Sequence, residues 1–230
     1  MGGFRSLFSG NKKTNAPEFW KEYLRFLDTE PARQQPIETI RFVVFDTETT
    51  GLNPKTDRIL SVGAVSLVWN KIDLGHTLES YVRQESTKKE AVLIHGILQN
   101  GKQQKKTEEE AVIEFVQYIK DAVLVGHNVA FDIAIVNEAL KKLNAGPLKN
   151  KLVDTAKLAI RVDARSSSEM IKSSDYTLDA LCEKYNISMS NRHTAAGDAF
   201  ITAVLLMKLL PRLKKRGINN LRDLLKSKVM

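Results

Sequence analysis

The sequence predicts an α/β fold in which a mixed, five-stranded sheet is flanked by helices. Three strand-like segments come first, and helices and strands alternate after them, an order that favours a mixed sheet with helices around it. The first strand contains Phe42–Phe45, an unbroken apolar run, and is expected at the centre of the sheet, buried on both faces. With 230 residues, 43% of them hydrophobic, the chain can bury one such core and a small appendage.

The other strands follow from short apolar runs bounded by turn residues. They are predicted at Ile59–Trp69, Thr77–Arg83, Val123–Val125 and Leu152–Val153, with a turn from Asn70 to Gly75 between the second and third strands. The helices follow from apolar residues at helical spacing. They are predicted at 17–28, 88–94, 107–119, 131–143, 155–160, 177–184, 194–210 and 218–226. The serine-rich segment 163–175 is predicted to be a loop, and Pro211 is expected to end the longest helix.

Composition shifts divide the chain into three parts. Residues 1–39 form an N-terminal extension with a basic start, an amphipathic helix and a proline-containing linker. Residues 40–212 form the main domain, and 213–230 a short basic C-terminal helix. Apolar residues of the first helix form one stripe, made of Phe19, Trp20, Tyr23, Leu24 and Leu27. This stripe is expected to pack on its own domain, with docking of a partner protein as the alternative.

Charge and cysteine content indicate a class of partner and a location. The formal net charge of +8 fits a partner that carries phosphates, because basic side chains displace counterions from nucleic acid, although solubility alone is an alternative explanation. The basic residues near the C-terminus either contact a nucleic-acid backbone or form a solvated helix face. Cys182 is the only cysteine, which excludes an intrachain disulfide and favours the cytoplasm. No apolar run is long enough to cross a bilayer, so no membrane contact is expected.

Carboxylates fall where strands end and helices begin. Asp46 and Glu48 end the first strand, and residues two apart in an extended chain project to the same face. Asp132 opens the helix after the fourth strand. Asp198 lies in the first turns of the last long helix, and His193 comes just before that helix. Each of these residues, taken singly, has an ordinary explanation, such as an acid that favours a helix dipole.

Taken together, the four acids indicate a metal site. Apolar neighbours, among them Phe45, Phe131 and Ala199, suggest that the acids lie against a core. Clustered carboxylates without counterions repel one another and raise one another's pKa values. Hard divalent cations relieve this repulsion, so Mg²⁺ or Mn²⁺ fits the site, whereas four acids with one histidine and no cysteine argue against zinc.

Three motifs resemble those of the DEDDh family of 3′–5′ exonucleases. They are Asp46-Thr47-Glu48-Thr49-Thr50-Gly51-Leu52, His127-Asn128-x-x-Phe131-Asp132 and His193-x-x-x-x-Asp198. Within this family the sequence is most similar to the proofreading epsilon subunits of bacterial DNA polymerase III, and the segments 95–97 and 176–182 share this likeness. The resemblance covers about 40–210 in the expected order and spacing, and the combination of motifs is specific.

The resemblance implies a ribonuclease H-like fold and phosphodiester hydrolysis with two divalent metal ions, Mg²⁺ or Mn²⁺. It implies that Asp46 contacts both ions, while Glu48 and Asp198 hold the ion that carries the attacking water. It implies that Asp132 supports the second ion. His193 would be the general base that accepts the proton of the water, since the unperturbed pKa of imidazole lies near neutrality.

The resemblance also implies a substrate, namely the 3′ end of DNA in a single-stranded or frayed state. Thr47, Thr50, His95 and Asn128 would contact the terminal nucleotide. The predicted function is therefore a metal-dependent 3′–5′ exonuclease of proofreading or DNA repair that releases 5′-nucleotides. An exoribonuclease that trims short RNA or RNA ends is the alternative, and the Asp-Thr-Glu-Thr sequence favours DNA. A non-catalytic nucleic-acid-binding module is a third hypothesis, against which the complete acid set counts.

Two features depart from the pattern of the epsilon subunits. About forty residues precede the first strand here, whereas the exonuclease domain of those subunits begins close to that strand. Neither tail contains a sliding-clamp peptide in which glutamine is followed by leucine and phenylalanine. A polymerase subunit is therefore a partner that the resemblance implies and that these two features do not support.

Overall fold

The structure is a computed structural model that describes residues 16–28, 32–84, 104–163 and 172–226. These residues form a six-stranded sheet, in the order β4-β3-β2-β1-β5-β6, with helices on both faces. The strands are β1 (Arg41–Thr49), β2 (Ile59–Val68), β3 (Lys71–Val82), β4 (Lys105–Lys106), β5 (Val123–Gly126) and β6 (Leu152–Asp154). The helices are α1 (Glu18–Leu27), α2 (Glu108–Ile119), α3 (Ala130–Lys142), α4 (Thr155–Asp163), α5 (Leu178–Tyr185), α6 (Ala195–Lys214) and α7 (Leu221–Leu224).

The central strand is β1, as its apolar sequence predicts. It pairs antiparallel with β2 and parallel with β5, which confirms the mixed α/β sheet. The sheet has one strand more than the five predicted, because Lys105 and Lys106 pair with the end of β3 at the edge of the sheet. A strand of two lysines has no apolar pattern, so sequence periodicity could not reveal it.

Successive side chains of β1 enter two different hydrophobic cores, because they point to opposite faces of the sheet. Phe42 and Val44 pack with the buried residues of α4, α5, α6 and α7. Val43 and Phe45 pack with those of α1, α2 and α3. We call these two sides the α6 face and the α3 face. The same alternation continues beyond Phe45 and decides on which face each of the following polar side chains lies.

Helix α1 packs on its own chain, as predicted for its apolar stripe. Trp20 and Tyr23 are buried in the core of the α3 face, with ring centroids 4.5 Å apart. The Tyr23 hydroxyl donates a hydrogen bond to Asn150 Oδ1 (2.7 Å) and accepts one from Lys149 N (2.7 Å). Leu24 is 39% exposed and is the stripe residue that this packing leaves in solvent.

Side-chain caps begin several helices where the sequence predicts. Thr107 and Glu110 form a reciprocal capping box at the start of α2. Thr177 accepts a hydrogen bond from the backbone of α5, and Thr194 accepts one from the backbone of α6. These caps satisfy backbone N–H groups that have no partner inside the helix. They fix the start of α6, on which the candidate site depends.

The predicted start of β3 is wrong. The strand begins at Lys71, and the turn after β2 is confined to Trp69 and Asn70. Residues 74–76 form a bulge between the paired residues Asp73 and Thr77. The bulge interrupts the alternating pattern, which explains why this stretch resembles a longer turn in the sequence.

The predicted end of α6 is also wrong, because the helix continues through Pro211 to Lys214. Leu210 and Leu213 are fully buried on either side of the proline, and their packing outweighs the backbone hydrogen bond that proline cannot donate. Helix α7 is shorter than the predicted 218–226. The predicted helix at 88–94 and part of the serine-rich loop lie outside the described residues. No helix in the described part of the chain is long and apolar enough to span a bilayer.

Candidate active site

Three carboxylates converge on the α6 face of the sheet. Asp46 and Glu48 follow Phe42 and Val44 in the alternation of β1 and therefore project to this face. The first turn of α6 brings Asp198 to them. One carboxylate oxygen from each of the three residues lies within 4.8 Å of the others. Asp198 is 6% exposed, and Asp46 and Glu48 are half-buried, so the cluster is shielded from most of the solvent.

A glycine in β2 allows α6 to approach the sheet at this point. Gly63 pairs with Asp46 in the register of β1 and β2. A Cβ atom at Gly63 would lie 2.2 Å from the backbone C of Ala195 and 2.2 Å from the backbone N of Ala196. Only glycine leaves room for the helix backbone at this distance. Gly63 therefore permits the contact that places Asp198 beside Asp46.

The two oxygens of Asp198 have different surroundings. Oδ2 accepts hydrogen bonds from Arg192 Nη1 (2.5 Å) and from the backbone N–H of His193 (3.3 Å). Oδ1 is buried and has no hydrogen-bond partner among the described residues. Arg192 also donates from Nε to Asp179 Oδ1 (2.6 Å), so its guanidinium links α5 to α6. Arg192 thus fixes one oxygen of Asp198 and leaves the other without a partner.

Burial and mutual repulsion raise the pKa values of the clustered acids. The pKa of Asp46 lies well above its ordinary value, first because the group is desolvated and then because Asp132, Asp198 and Glu48 repel its charge. The pKa of Glu48 rises to about 7, again by burial first and by the neighbouring carboxylates second. The positive charge of Arg192 opposes both shifts. One guanidinium does not balance this many acids, and the cluster favours an additional cation.

Asp132, in the first turn of α3, contacts β1 at Thr47. Its Oδ1 accepts hydrogen bonds from the backbone N–H (3.0 Å) and the hydroxyl (2.6 Å) of Thr47, whose side chain points to the α3 face. Asp132 is not part of the three-carboxylate group, although its charge raises the pKa of Asp46. Its own pKa rises to about 6, because its burial outweighs the hydrogen bonds from Thr47. The structure thus brings three of the four predicted acids together and holds the fourth next to them.

His193 lies in a short loop between α5 and α6 whose backbone has an unusual conformation. Asn191 (φ 66°) and His193 (φ 63°) both adopt the left-handed region, which non-glycine residues rarely enter. A Cβ atom at Gly197 would lie 1.9 Å from Asn191 O, so this glycine allows the loop to fold against α6. The His193 side chain is exposed, and the His193 backbone contacts Asp198. Left-handed residues of this kind often occur at functional sites.

The residues predicted to bind the terminal nucleotide have different surroundings. Thr47 is engaged with Asp132, as described above. The Thr50 hydroxyl donates to Asp57 Oδ1 (3.0 Å) and accepts from Arg58 N (3.0 Å). Asn128 is exposed, has φ 56°, and donates from its backbone N–H to an oxygen of Asp154 (3.2 Å). His95 lies outside the described residues.

Three residues that contribute to the site were not identified from the sequence. Gly63 stands inside a strand pattern, which is a known sign of close backbone approach and could have indicated its role. Arg192 precedes His193 directly, but nothing in the sequence links it to Asp179 or Asp198. Gly197 lies one residue before a predicted ligand, and its contact with the His193 loop requires the folded chain.

The donor set of the cluster fits hard divalent cations. All the candidate ligand atoms of the three-residue group are carboxylate oxygens, the donors that Mg²⁺ and Mn²⁺ prefer. Asp198 Oδ1 is a buried acceptor with no partner among the described residues, which is costly unless a cation or donor approaches it. The raised pKa values of Asp46 and Glu48 likewise arise from the burial of carboxylates close to one another. The arrangement of carboxylates can therefore bind a divalent metal ion.

The sequence matches a protein-family model and also matches individual relatives. The model of the family RNase_T, described as an exonuclease, matches residues 43–206, which include all five predicted catalytic residues. The PolC-type DNA polymerase III of Thermotoga maritima is 33% identical over 188 residues, and that of Staphylococcus epidermidis is 27% identical over 183 residues. These matches cover 81% and 78% of this chain but 13% and 12% of the relatives. The chain thus spans about an eighth of the length of these relatives.

Solved structures share the fold. Exonuclease I of E. coli in complex with a dT13 oligonucleotide has a TM-score of 0.66 and 19% identity, with 78% of this chain and 43% of that chain covered. A zinc-bound complex of E. coli exonuclease I with single-stranded DNA has a TM-score of 0.64 and 21% identity, with 77% and 42% covered. This likeness confirms the ribonuclease H-like fold predicted from the sequence.

Proposed function

The chain belongs to the RNase_T exonuclease family, and from this premise we propose that it removes nucleotides one at a time from the 3′ end of single-stranded or frayed DNA. The observation that carries the proposal is the group of carboxylates at Asp46, Glu48 and Asp198, together with the unpartnered oxygen Asp198 Oδ1. Acids in this arrangement are destabilised by burial and repulsion without a cation. A stable fold retains such a cost where a function requires it.

We propose two divalent ions, Mg²⁺ or Mn²⁺, as cofactors. Asp46, Glu48 and Asp198 would hold one ion, and Asp46 together with Asp132 would hold the second. When bound, the ions would neutralise phosphate charge and lower the pKa of an attacking water. The hydrogen bonds from Thr47 hold one oxygen of Asp132 in place and leave its other oxygen for this task.

His193 is the proposed general base. Its imidazole would accept the proton of the attacking water at a ring nitrogen, a role that histidine often takes in general acid–base catalysis. The exposed position of the ring leaves it accessible to a substrate strand. Its backbone hydrogen bond to Asp198 keeps the base next to the proposed metal ligands. Thr50 and Asn128, and His95 outside the described residues, are proposed to contact the terminal nucleotide.

DNA is the proposed substrate because the similar proteins include DNA polymerases and an exonuclease in complex with a DNA oligonucleotide. The curated relatives are DNA polymerases of PolC type, and the exonuclease I structures hold oligonucleotides such as dT13. The proposal does not extend to a polymerase partner, since the chain covers about an eighth of those relatives. The buried thiol of Cys182 is compatible with the proposed cytoplasmic location.

A digestion assay with oligonucleotides labelled at the 5′ end tests this proposal. Purified protein with Mg²⁺ or Mn²⁺ should produce a ladder of labelled products that shorten from the 3′ end, and excess chelator should stop the reaction. Asp46→Asn should abolish the ladder while the protein still melts cooperatively. Glu138→Gln is the matched control, since Glu138 is a partly exposed acid of α3 that pairs with Lys141 outside the cluster.

Three results would contradict the proposal. Equal digestion in excess chelator would exclude the metal site, and release of the labelled 5′ nucleotide first would exclude the direction. Faster digestion of a matched RNA strand than of the DNA strand would replace DNA by RNA as the substrate.

His193→Ala should lower the rate strongly while Mn²⁺ binding persists, and unchanged turnover would exclude its role as the base.

A further inference from the structure

A second charged feature lies far from the acid cluster, where α4, α5 and α6 end. A surface cavity of about 520 Å³ opens there, lined mainly by basic residues. The residues that matter for the argument are Asp163, Lys184, Tyr185, Arg212, Lys215 and Arg216. We call this feature the basic cavity. It holds four cations and one carboxylate, and all four cations are on exposed residues.

Neutral groups hold several of these cations in place. Arg212 lies over the ring of Tyr185, with 4.9 Å between the guanidinium carbon and the ring centroid. Arg212 Nη1 also donates to Lys208 O (2.5 Å), and Arg216 Nη1 donates to Arg161 O (3.0 Å). Carbonyl oxygens and an aromatic ring orient a guanidinium without cancelling its full charge. Arg212 is therefore held in position while its positive charge is not paired with an acid within the described residues.

Other basic residues near the C-terminus differ in this respect. Lys214 forms an ion pair with Glu38, and Lys226 forms one with Asp223. In the basic cavity Lys184 pairs with Asp163 (2.5 Å), whereas Arg212 and Lys215 form no ion pair within the described ranges. The structure thus separates Lys214 and Lys226, which are paired with acids, from Arg212 and Lys215, which line the basic cavity without an acidic partner within the described ranges. Attraction to helix C-termini explains why cations are favourable here, but not why they surround a cavity.

The basic cavity is connected to the acid cluster by α6. Asp198 and Arg212 are 14 residues apart in this helix, which corresponds to about 21 Å at 1.5 Å per residue. At the axial rise of about 3.4 Å per nucleotide of a B-form strand, roughly six nucleotides cover this distance, and an extended single strand needs fewer. Helix α5 also leads from Asp179, which pairs with Arg192 near the cluster, to Tyr185 at the cavity.

We propose that the basic cavity binds phosphate groups of the same nucleic-acid strand whose 3′ end lies at the acid cluster. This inference rests on the proposed function for the identity of the ligand. Grooves that combine basic side chains with an aromatic ring are typical of sites that follow a single-stranded backbone without reading its sequence. The cavity would therefore increase affinity for long strands and leave the hydrolytic step unchanged.

The test compares two double variants that remove the same charge. Arg212→Gln with Lys215→Gln changes the basic cavity, and neither residue belongs to the acid cluster. Lys21→Gln with Arg25→Gln is the control, since both residues are exposed on α1, which packs on the other face of the sheet. The digestion rate is measured as a function of substrate concentration for a strand of about 20 nucleotides and for one of about three.

The cavity variant should raise KM for the long strand, with kcat unchanged, and should leave the short strand unaffected. Loss of two phosphate contacts should reduce the slope of log K against log salt concentration by about 1.4. If wild type and variant bind equally at 1 M salt, the variant should bind the long strand about 25-fold more weakly at 0.1 M salt. Binding itself is measured by fluorescence anisotropy in the Asp46→Asn background, where the strand is not cut. The control variant should match the wild type.

Several outcomes would overturn the inference. These are an equal effect in both double variants, an equal effect on both strand lengths, or no effect of the cavity variant on long-strand binding. Stabilisation by inorganic phosphate that the cavity variant loses, without any change in strand binding, would assign the cavity to free phosphate instead. Lys215→Glu is a second variant, since Lys215 forms no ion pair within the described ranges. A wild type that binds long strands but cuts none would contradict the proposed function and leave this inference standing.

Discussion

Replacing Gly63 with alanine should move the first turn of α6 away from β2 and remove most of the proposed activity. The added Cβ atom would lie 2.2 Å from backbone atoms of Ala195 and Ala196. Neither partner is a flexible side chain, so one backbone must move. To reach 3.4 Å, the distance of ordinary van der Waals contact, the two segments must separate by about 1.2 Å.

A shift of this size is large for a metal site. Misplacement of a reacting group by about 1 Å can lower a rate by about 100-fold, because the reactive geometry is lost. Asp198 moves with the helix, whereas Asp46 and Glu48 stay with β1. We therefore expect Gly63→Ala to lower kcat by about 100-fold. The overpacking should also lower the free energy of unfolding by about 1–3 kcal/mol.

The assay measures the rate of DNA digestion with saturating Mn²⁺, together with the unfolding transition in urea. Gly75→Ala is the matched control, because its Cβ would meet only a side-chain oxygen of Asp73 at 3.4 Å. This control should retain the activity of the wild type. If Gly63→Ala kept its activity within about twofold of the wild type, close approach of α6 at Gly63 would not be what positions Asp198.

Three further predictions test the electrostatics and the packing. Glu48 has a folded-state pKa of about 7 against an ordinary 4.5, so its stabilising contribution is present below about pH 4.5 and is lost as pH rises through 7. The metal-free protein should therefore melt at a higher temperature at about pH 5 than at about pH 8. Glu48→Gln should reduce this difference in melting temperature. Arg192→Gln removes the charged donor to Asp198 Oδ2 and should weaken Mn²⁺ binding by about 10–100-fold in a thermal-shift titration, while unchanged binding would exclude an orienting role for Arg192. Tyr23→Phe removes two hydrogen bonds, of which the one to Asn150 is buried, and should lower the free energy of unfolding in urea by about 1–3 kcal/mol without changing kcat. A lower kcat would link α1 to the site.

Features that depend on neighbouring residues were predicted well from the sequence. The apolar run Phe42–Phe45 identified the central strand, because burial on both faces requires apolar side chains at every position. Thr177 identified the start of α5, because a cap acts within three residues of itself. The end of α6 was predicted wrongly at Pro211, because the packing that stabilises the helix beyond this proline involves residues far away in the chain.

The sequence by itself determined the family, the central strand and the residues of the acid cluster, because each motif is local and the two-residue spacing of Asp46 and Glu48 already fixes a common face. Only the tertiary structure decided that Asp198 joins this pair while Asp132 is held next to it by hydrogen bonds from Thr47. It also decided which cations face the basic cavity and which are paired. The arrangement of the acids depends on contacts between residues more than eighty positions apart, such as Thr47 and Asp132, which are set by how the helices pack on the sheet.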